Sequence, residues 1–250
     1  MIACYAHAMR IAVVADVHSN IEALDAVLAH AEASGSDAVL CAGDIVGYGA
    51  DPSAVIARLR AAGAVSVAGN HDLVAAGKMG VEDFNAVAGE AALWQARQLS
   101  DDERAWLAAL PLTRVLPGLT LVHGSLRAPE WEYLLDNEAA TAQFALQTTP
   151  ASIVGHSHMQ FAAHDVGGKI AFTTATDGAS VDIGPHPLIL NPGSTGQPRD
   201  GDPRAGYMLY DEAAATATWH RVEYDIEAAQ KKIIAAGLDP WLAERLALGK

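Results

Sequence analysis

Cysteine is almost absent from this 250-residue chain, which has only Cys4 and Cys41. Two thiols so placed cannot build a disulfide framework or an all-thiolate zinc site, and a reducing, cytoplasmic setting is the expectation. Cys41 lies inside an apolar strand and reads as a small core residue. Long apolar runs are missing as well. No stretch approaches the roughly 18–20 residues of a bilayer-spanning helix, so no membrane partner is expected. The segment from Met1 to Arg10 lacks the basic start and apolar centre of a secretory signal. Residues 1–8 read as an extension ahead of a fold that begins at Met9-Arg10. Positive charge is scarce: 16 Lys and Arg stand against 30 Asp and Glu, a net −14. No basic stripe is left for duplex nucleic acid. Repeats, low-complexity tracts and linkers are also lacking, and a chain of this length can bury one large core. We expect a single domain over 1–250.

What is present is a recurring pattern of apolar strand followed by a polar tip. The run Ile11-Ala-Val-Val14 stops at Asp16 and His18. Two residues apart in an extended segment, these side chains should share one side and reach one ion. Asn20 then opens an amphipathic stretch (Ile21, Leu24, Val27, Leu28) as a helix N-cap. The pattern repeats at Asp37–Asp44, ending in Gly43-Asp44, and at Ala64–Asp72, ending in Gly69-Asn70-His71-Asp72. Three such units predict a mostly parallel sheet at the start of the chain.

Residues 82–109 have helical spacing, with Ser100 and Glu103 as a capping box. Further strands end at His123-Gly124 and at Gly155-His156-Ser157-His158. From Phe161 onward, short alternating strands predict an antiparallel meander. Asp225 should cap a C-terminal helix broken near Gly237 and Pro240. Apolar positions on these late strands leave a homo-oligomer open.

The strand tips gather Asp16, His18, Asp44, Asn70, His71, His123, His156 and His158. Oxygen and imidazole donors suit Mn, Fe, Zn, Co or Ni better than Ca. Eight such residues are too many for one tetrahedral ion and about right for two ions sharing a carboxylate. Such a pair can bind a phosphoryl group and supply hydroxide at neutral pH.

Taken in order, these blocks resemble the signature of the calcineurin-like metallophosphoesterase superfamily, over about residues 10–200. The resemblance implies an α/β fold, a four-layer α/β/β/α sandwich with mixed sheets, and two divalent ions, manganese foremost. It implies Asp16, His18 and His158 on the first ion, Asn70, His123 and His156 on the second, and Asp44 between them. His71 would assist the leaving group, as acid or as charge stabiliser, with Asp72 orienting it. A bridging hydroxide would attack phosphorus in line.

Two departures bear on the substrate. Protein Ser/Thr phosphatases of the superfamily carry an Arg after Gly-Asp and a Glu after Asn-His, where this chain has Ile45-Val-Gly47-Tyr48-Gly49 and Asp72. Asn191-Pro-Gly-Ser194 with Arg199, and His123 to Tyr133 with Arg127, instead resemble the small bacterial and archaeal phosphodiesterase branch. Arg127 and Arg199 are the candidate phosphate contacts; Tyr48, Trp131 and Tyr133 read first as core or lid packing and, alternatively, could frame a base or aromatic leaving group. The expected substrate is a small, nucleotide-like phosphoester. A phosphoprotein phosphatase, a diadenosine-tetraphosphatase-like hydrolase and a non-catalytic scaffold are the alternatives.

Overall fold

The computed structural model describes residues 8–250. Cys4, and all but residue 8 of the expected extension, fall outside them. Met9 is tied to the fold, its N–H donating to Glu212 at 2.9 Å.

In chain order the first half runs β1 (Arg10–Val14), α1 (Ile21–Ala33), β2 (Ala38–Cys41), α2 (Pro52–Ala61), β3 (Val65–Ser66), α3 (Asn70–Ala75), α4 (Ala86–Gln98), α5 (Asp101–Ala108), β4 (Thr113–Leu116) and β5 (Leu119–Val122). The second half runs α6 (Asn137–Leu146), β6 (Ala151–Ile153), β7 (Gln160–Val166), β8 (Lys169–Thr174), β9 (Ser180–Asp182), β10 (Leu188–Pro192), β11 (Ala205–Asp211), β12 (Thr216–Val222), α7 (Ile226–Ala235) and α8 (Pro240–Glu244). A 3₁₀ turn, Arg245–Leu248, follows. The expected Asn20 cap is formed, accepting from the Ala23 N–H at 3.1 Å.

Two six-stranded mixed sheets result, in the orders β3-β2-β1-β11-β12-β9 and β4-β5-β6-β10-β7-β8. The pleat of β1 explains the layering. Ile11, Val13 and Ala15 point into an inter-sheet core with Leu121, Ile153, Leu190 and Trp219. Ala12 and Val14 point the other way, onto Leu24, Val27 and Ile56 of α1 and α2. On the second sheet Ile189 faces outward with Val154 onto Ala139 and Ala140 of α6. The order is therefore α/β/β/α.

The early parallel strands are as expected, β1 pairing with β2 and β2 with β3. The later strands are not one meander. β7, β8 and β10 join the second sheet, whereas β9, β11 and β12 join the first. β10 pairs parallel with β6 and antiparallel with β7. Its five residues are all buried, as a central strand requires. Beyond the sandwich, α7, α8 and the last turn pack against α4 and Tyr48 through Ile233, Leu242 and Leu246.

Candidate metal centre

Seven non-glycine residues among those described have positive φ, and five of them are Asp16 (50°), His18 (47°), Asp44 (50°), His156 (64°) and His158 (60°). Ser19 and Ala215 are the others. Asp and His tolerate this left-handed region better than most side chains. Each such residue still costs about 1–3 kcal/mol, and such strain concentrates at functional sites. The expectation that Asp16 and His18 share a side because they are extended is therefore corrected. β1 ends at Val14, and the two side chains converge because the loop turns left-handed at both. Hydrogen bonds from Asp16 N to Gly43 O and from His18 N to Asp44 O, both 3.0 Å, tie this loop to the tip of β2.

The imidazoles meet in pairs. His18 Nε2 lies 3.1 Å from His158 Nε2, and His123 Nε2 lies 3.1 Å from His156 Nδ1. The remaining nitrogen of each ring faces a backbone carbonyl. His18 Nδ1 reaches Val46 O at 3.3 Å, His158 Nδ1 reaches Gln197 O at 2.5 Å, His123 Nδ1 reaches Ala42 O at 2.8 Å and His156 Nε2 reaches Trp131 O at 3.1 Å. A carbonyl oxygen only accepts, so each of these nitrogens carries the proton. In the His18–His158 pair, where both rings are neutral, the facing nitrogens are then bare lone pairs, acceptor against acceptor, whereas a proton on His123 bridges the other pair. Only a cation or a proton makes such a pair favourable, and two nitrogens about 2.0–2.1 Å from one ion fit the spacing.

Carboxylates complete the two pairs. Asp16 Oδ1 is 3.4 Å from His158 Nε2, and its Oδ2 is buried without a partner. Asp44 Oδ2 lies 3.6 Å from His18 Nε2 and 3.4 Å from His123 Nε2, between the two pairs. The donor atoms of Asp16, His18 and His158 lie within 4.8 Å of one another, as do those of Asp44, His123 and His156. Asn70 Oδ1 is also buried and unpartnered. Orphaned oxygens, facing lone pairs and shared Asp44 fit divalent cations well.

The electrostatics agree. Burial pushes His18 and His158 well below the usual imidazole range. Burial and then the His123 charge bring His156 to about 3. These rings are neutral and ready to ligate. Burial, outweighing His123, raises Asp16 to about 7. Burial opposes charge on His123 and Asp44 too, but their mutual attraction wins: His123 rises to about 9 and Asp44 falls well below its ordinary value.

His71 lines the same depression, its ring 4.9 Å from His18 and 4.6 Å from Tyr48, and burial lowers it to about 4. Asp72 does not orient it. Asp72 Oδ1 accepts from Val46 N and Oδ2 from Gly69 N, each at 3.0 Å, while His71 Nδ1 has no partner. The carboxylate caps α3 and fixes the loop after β2. Tyr48, Phe84, Trp131, Tyr133 and Arg199 wall a cavity of about 230 Å³ over Asp44, Asn70, His156 and His158. Tyr133 stacks on His156, ring centres 4.0 Å apart. Arg127 is not brought there. Its guanidinium is held by Glu132, with Glu138 3.5 Å away.

Two buried amides support the site, and the first of them carries no sequence signal of its own. Gln95 of α4 is fully buried, donates to Gly47 O and Gly49 O, and accepts from Ser19. Asn191 donates to Gly155 O and Ser157 Oγ. An isolated amide on a helix announces nothing until the fold shows which loop it holds, whereas Asn191 opens the Asn-Pro-Gly-Ser stretch already singled out in the sequence.

Comparison with known proteins is consistent with this geometry. Residues 9–214 match the model of the calcineurin-like phosphoesterase superfamily domain. An uncharacterized protein of Methanocaldococcus jannaschii is 36% identical over 245 residues, covering 96% of this chain and 98% of its own. A crystal structure of a metallophosphoesterase from Sphaerobacter thermophilus is 39% identical, with a TM-score of 0.89 over 98% of this chain and all of that one. A hypothetical protein of Pyrococcus horikoshii OT3 shares the fold at 18% identity, with a TM-score of 0.77 over 96% of this chain and 98% of its own.

Proposed function

The chain belongs to the calcineurin-like phosphoesterase superfamily and is a phosphoric ester hydrolase, and from that premise we propose that it hydrolyses small, nucleotide-like phosphodiesters or phosphomonoesters with two divalent ions sharing Asp44. The observation that carries this reading is Asp44 Oδ2 between His18 and His123, each the corner of a separate donor group. Asp16, His18 and His158 would hold one ion and Asn70, His123 and His156 the other. Manganese is the ion we expect, with iron, nickel, cobalt and zinc suiting the same donors. Bound there, the ions supply Lewis-acid charge to the phosphoryl oxygens and hydroxide at neutral pH.

The chain's own residues position and stabilise. Arg199, on the cavity wall, offers its guanidinium to a non-bridging phosphoryl oxygen. His71, neutral because it is buried, offers a ring N–H to the leaving oxygen and acts by charge stabilisation rather than as a proton source. Tyr133 and Trp131 give a nucleobase aromatic faces to stack on, which favours a nucleotide-like substrate. No side-chain nucleophile is required.

The test is turnover of bis(4-nitrophenyl) phosphate against 4-nitrophenyl phosphate, with chelator-stripped protein refilled with Mn, Ni, Co, Zn or Mg. Diester turnover restored by Mn or Ni supports the phosphodiesterase reading. Monoester turnover alone moves the assignment to a phosphatase. Silence with every ion contradicts small-ester hydrolysis.

A further inference from the structure

The C-terminal turn brings a second arginine to Tyr48. The guanidinium carbon of Arg199 lies 5.5 Å from the centre of the Tyr48 ring, and that of Arg245 lies 5.9 Å from the same centre. The opposite relation is equally close: the Tyr48 ring is 4.7 Å from His18 and 4.6 Å from His71. A single aromatic ring thus neighbours His18 and His71 and two guanidinium groups.

Arg199 has no carboxylate side chain within 4.0 Å among the described residues, although the chain is strongly acidic, and Arg245 meets only the terminal oxygen of Lys250. The carboxylates on the surrounding loops are already engaged. Asp51 holds Lys232 at 2.8 Å, Asp200 holds Arg221, and Asp202 holds Arg204 at 2.7 Å. Arg199 donates to Gln197 Oε1 through Nε and Nη2, and its guanidinium also faces the hydroxyls of Tyr48 and Tyr133. Arg245 donates through Nε to the terminal oxygen of Lys250, and among the described residues its two terminal nitrogens have no acceptor. The two are held near each other by the chain, since Gly201 N donates to Gly249 O at 2.9 Å and draws the two loops together. Burial and then the Arg199 charge pull Arg245 down to about 10. The free terminal nitrogens of the two guanidinium groups offer an anion charge-assisted, bidentate hydrogen bonds.

We propose that Arg199, Tyr48 and Arg245 form a second phosphate subsite, which takes a phosphate group of the substrate other than the one being hydrolysed. This rests on the reading above and narrows it. The preferred substrate is a nucleotide carrying at least one retained phosphate beside the scissile ester. Arg199 serves both positions, at the rim of the ion site and at the subsite, and Arg245 serves the second alone.

Two experiments test this separately from the hydrolase reading. In the first, metal-free protein is titrated with pyrophosphate by calorimetry, so that chelation plays no part. Wild type binds, and Arg245→Gln binds about tenfold more weakly, the scale of one charge-assisted contact. Arg245→Lys, which keeps the charge but not the planar fork of donors, falls between them. In the second, Mn-loaded protein is given the 4-nitrophenyl ester of thymidine 5′-monophosphate and that of thymidine 3′,5′-bisphosphate. The KM advantage of the bisphosphate in wild type shrinks about tenfold in Arg245→Gln. Equal pyrophosphate affinity in wild type and Arg245→Gln overturns the subsite, whether or not esters are cleaved. Arg245-dependent binding without turnover of any ester retains the subsite and overturns the hydrolase reading instead.

Discussion

The backbone N–H of His71 donates to Asp44 Oδ1 at 3.0 Å, which leaves Asp44 Oδ2 turned toward His18 and His123. One carboxylate therefore fixes the loop that carries His71 and faces both imidazole pairs. Close approach makes this possible. A Cβ on Gly69 would stand 2.1 Å from Asp44 Oδ1. Asp44→Asn should keep the fold, because an amide oxygen can still accept from His71, but it removes the negative charge and turns an NH2 group toward the ions. We expect hydrolysis to fall by more than about 100-fold, beyond the range typical of groups that only support a ligand. Steady-state rates and metal analysis on the same preparation check this.

Metal uptake should release protons. In the metal-free protein Asp16 titrates at about 7 and His123 at about 9, so both hold protons that an incoming cation must displace. His18, His156 and His158 have lost theirs well below neutrality and contribute none. Apparent affinity therefore rises with pH from about 6 to about 9. Calorimetry at pH 7 in buffers of different ionisation enthalpy should show release of more than one proton, and the number should fall as pH approaches 9.

Asp72→Asn tests the corrected role of that carboxylate. An amide can accept from Val46 N or from Gly69 N but not from both. The lost charge-assisted bond should lower stability by about 1.5–3 kcal/mol. His71→Ala removes no protein hydrogen bond of its ring, so it should lower turnover with little loss of stability. Were Asp72 instead the partner of His71, the two variants would share a rate defect and Asp72→Asn would leave the melting temperature unchanged.

Gly47 has φ of +149°, and a Cβ there would lie 2.2 Å from His18 Nδ1. Gly47→Ala should push the His18 ring off the Val46 carbonyl. We expect one of two ions to be lost while far-ultraviolet circular dichroism stays that of the wild type.

Much of the site was legible because chemistry sat at the ends of apolar runs. Asp16, Asp44, His123 and His158 could be found by reading where each buried strand stops. What brings them together could not. The left-handed backbone at Asp16 and His18 leaves no mark in composition or periodicity, and a period-two argument reached the right residues through the wrong geometry. β4 escaped notice because Thr113–Leu116 is a short, half-exposed edge strand. β10 was assigned to a meander because strand partners more than thirty residues apart are set by packing, not by local pattern. Arg127 and Arg199 looked alike as sequence. Only the fold shows that Glu132 neutralises the first, and that the second meets Arg245 across Tyr48 from the far end of the chain.

The central claim is that two ions share Asp44, and manganese reports on it directly. Metal-free protein titrated with Mn(II) and followed by electron paramagnetic resonance should bind two equivalents and develop the many-line spectrum of an exchange-coupled pair. That spectrum should be lost in Asp44→Asn. Saturation at one ion per chain, or two ions with uncoupled six-line signals in the wild type, would contradict the shared carboxylate and the reading built on it.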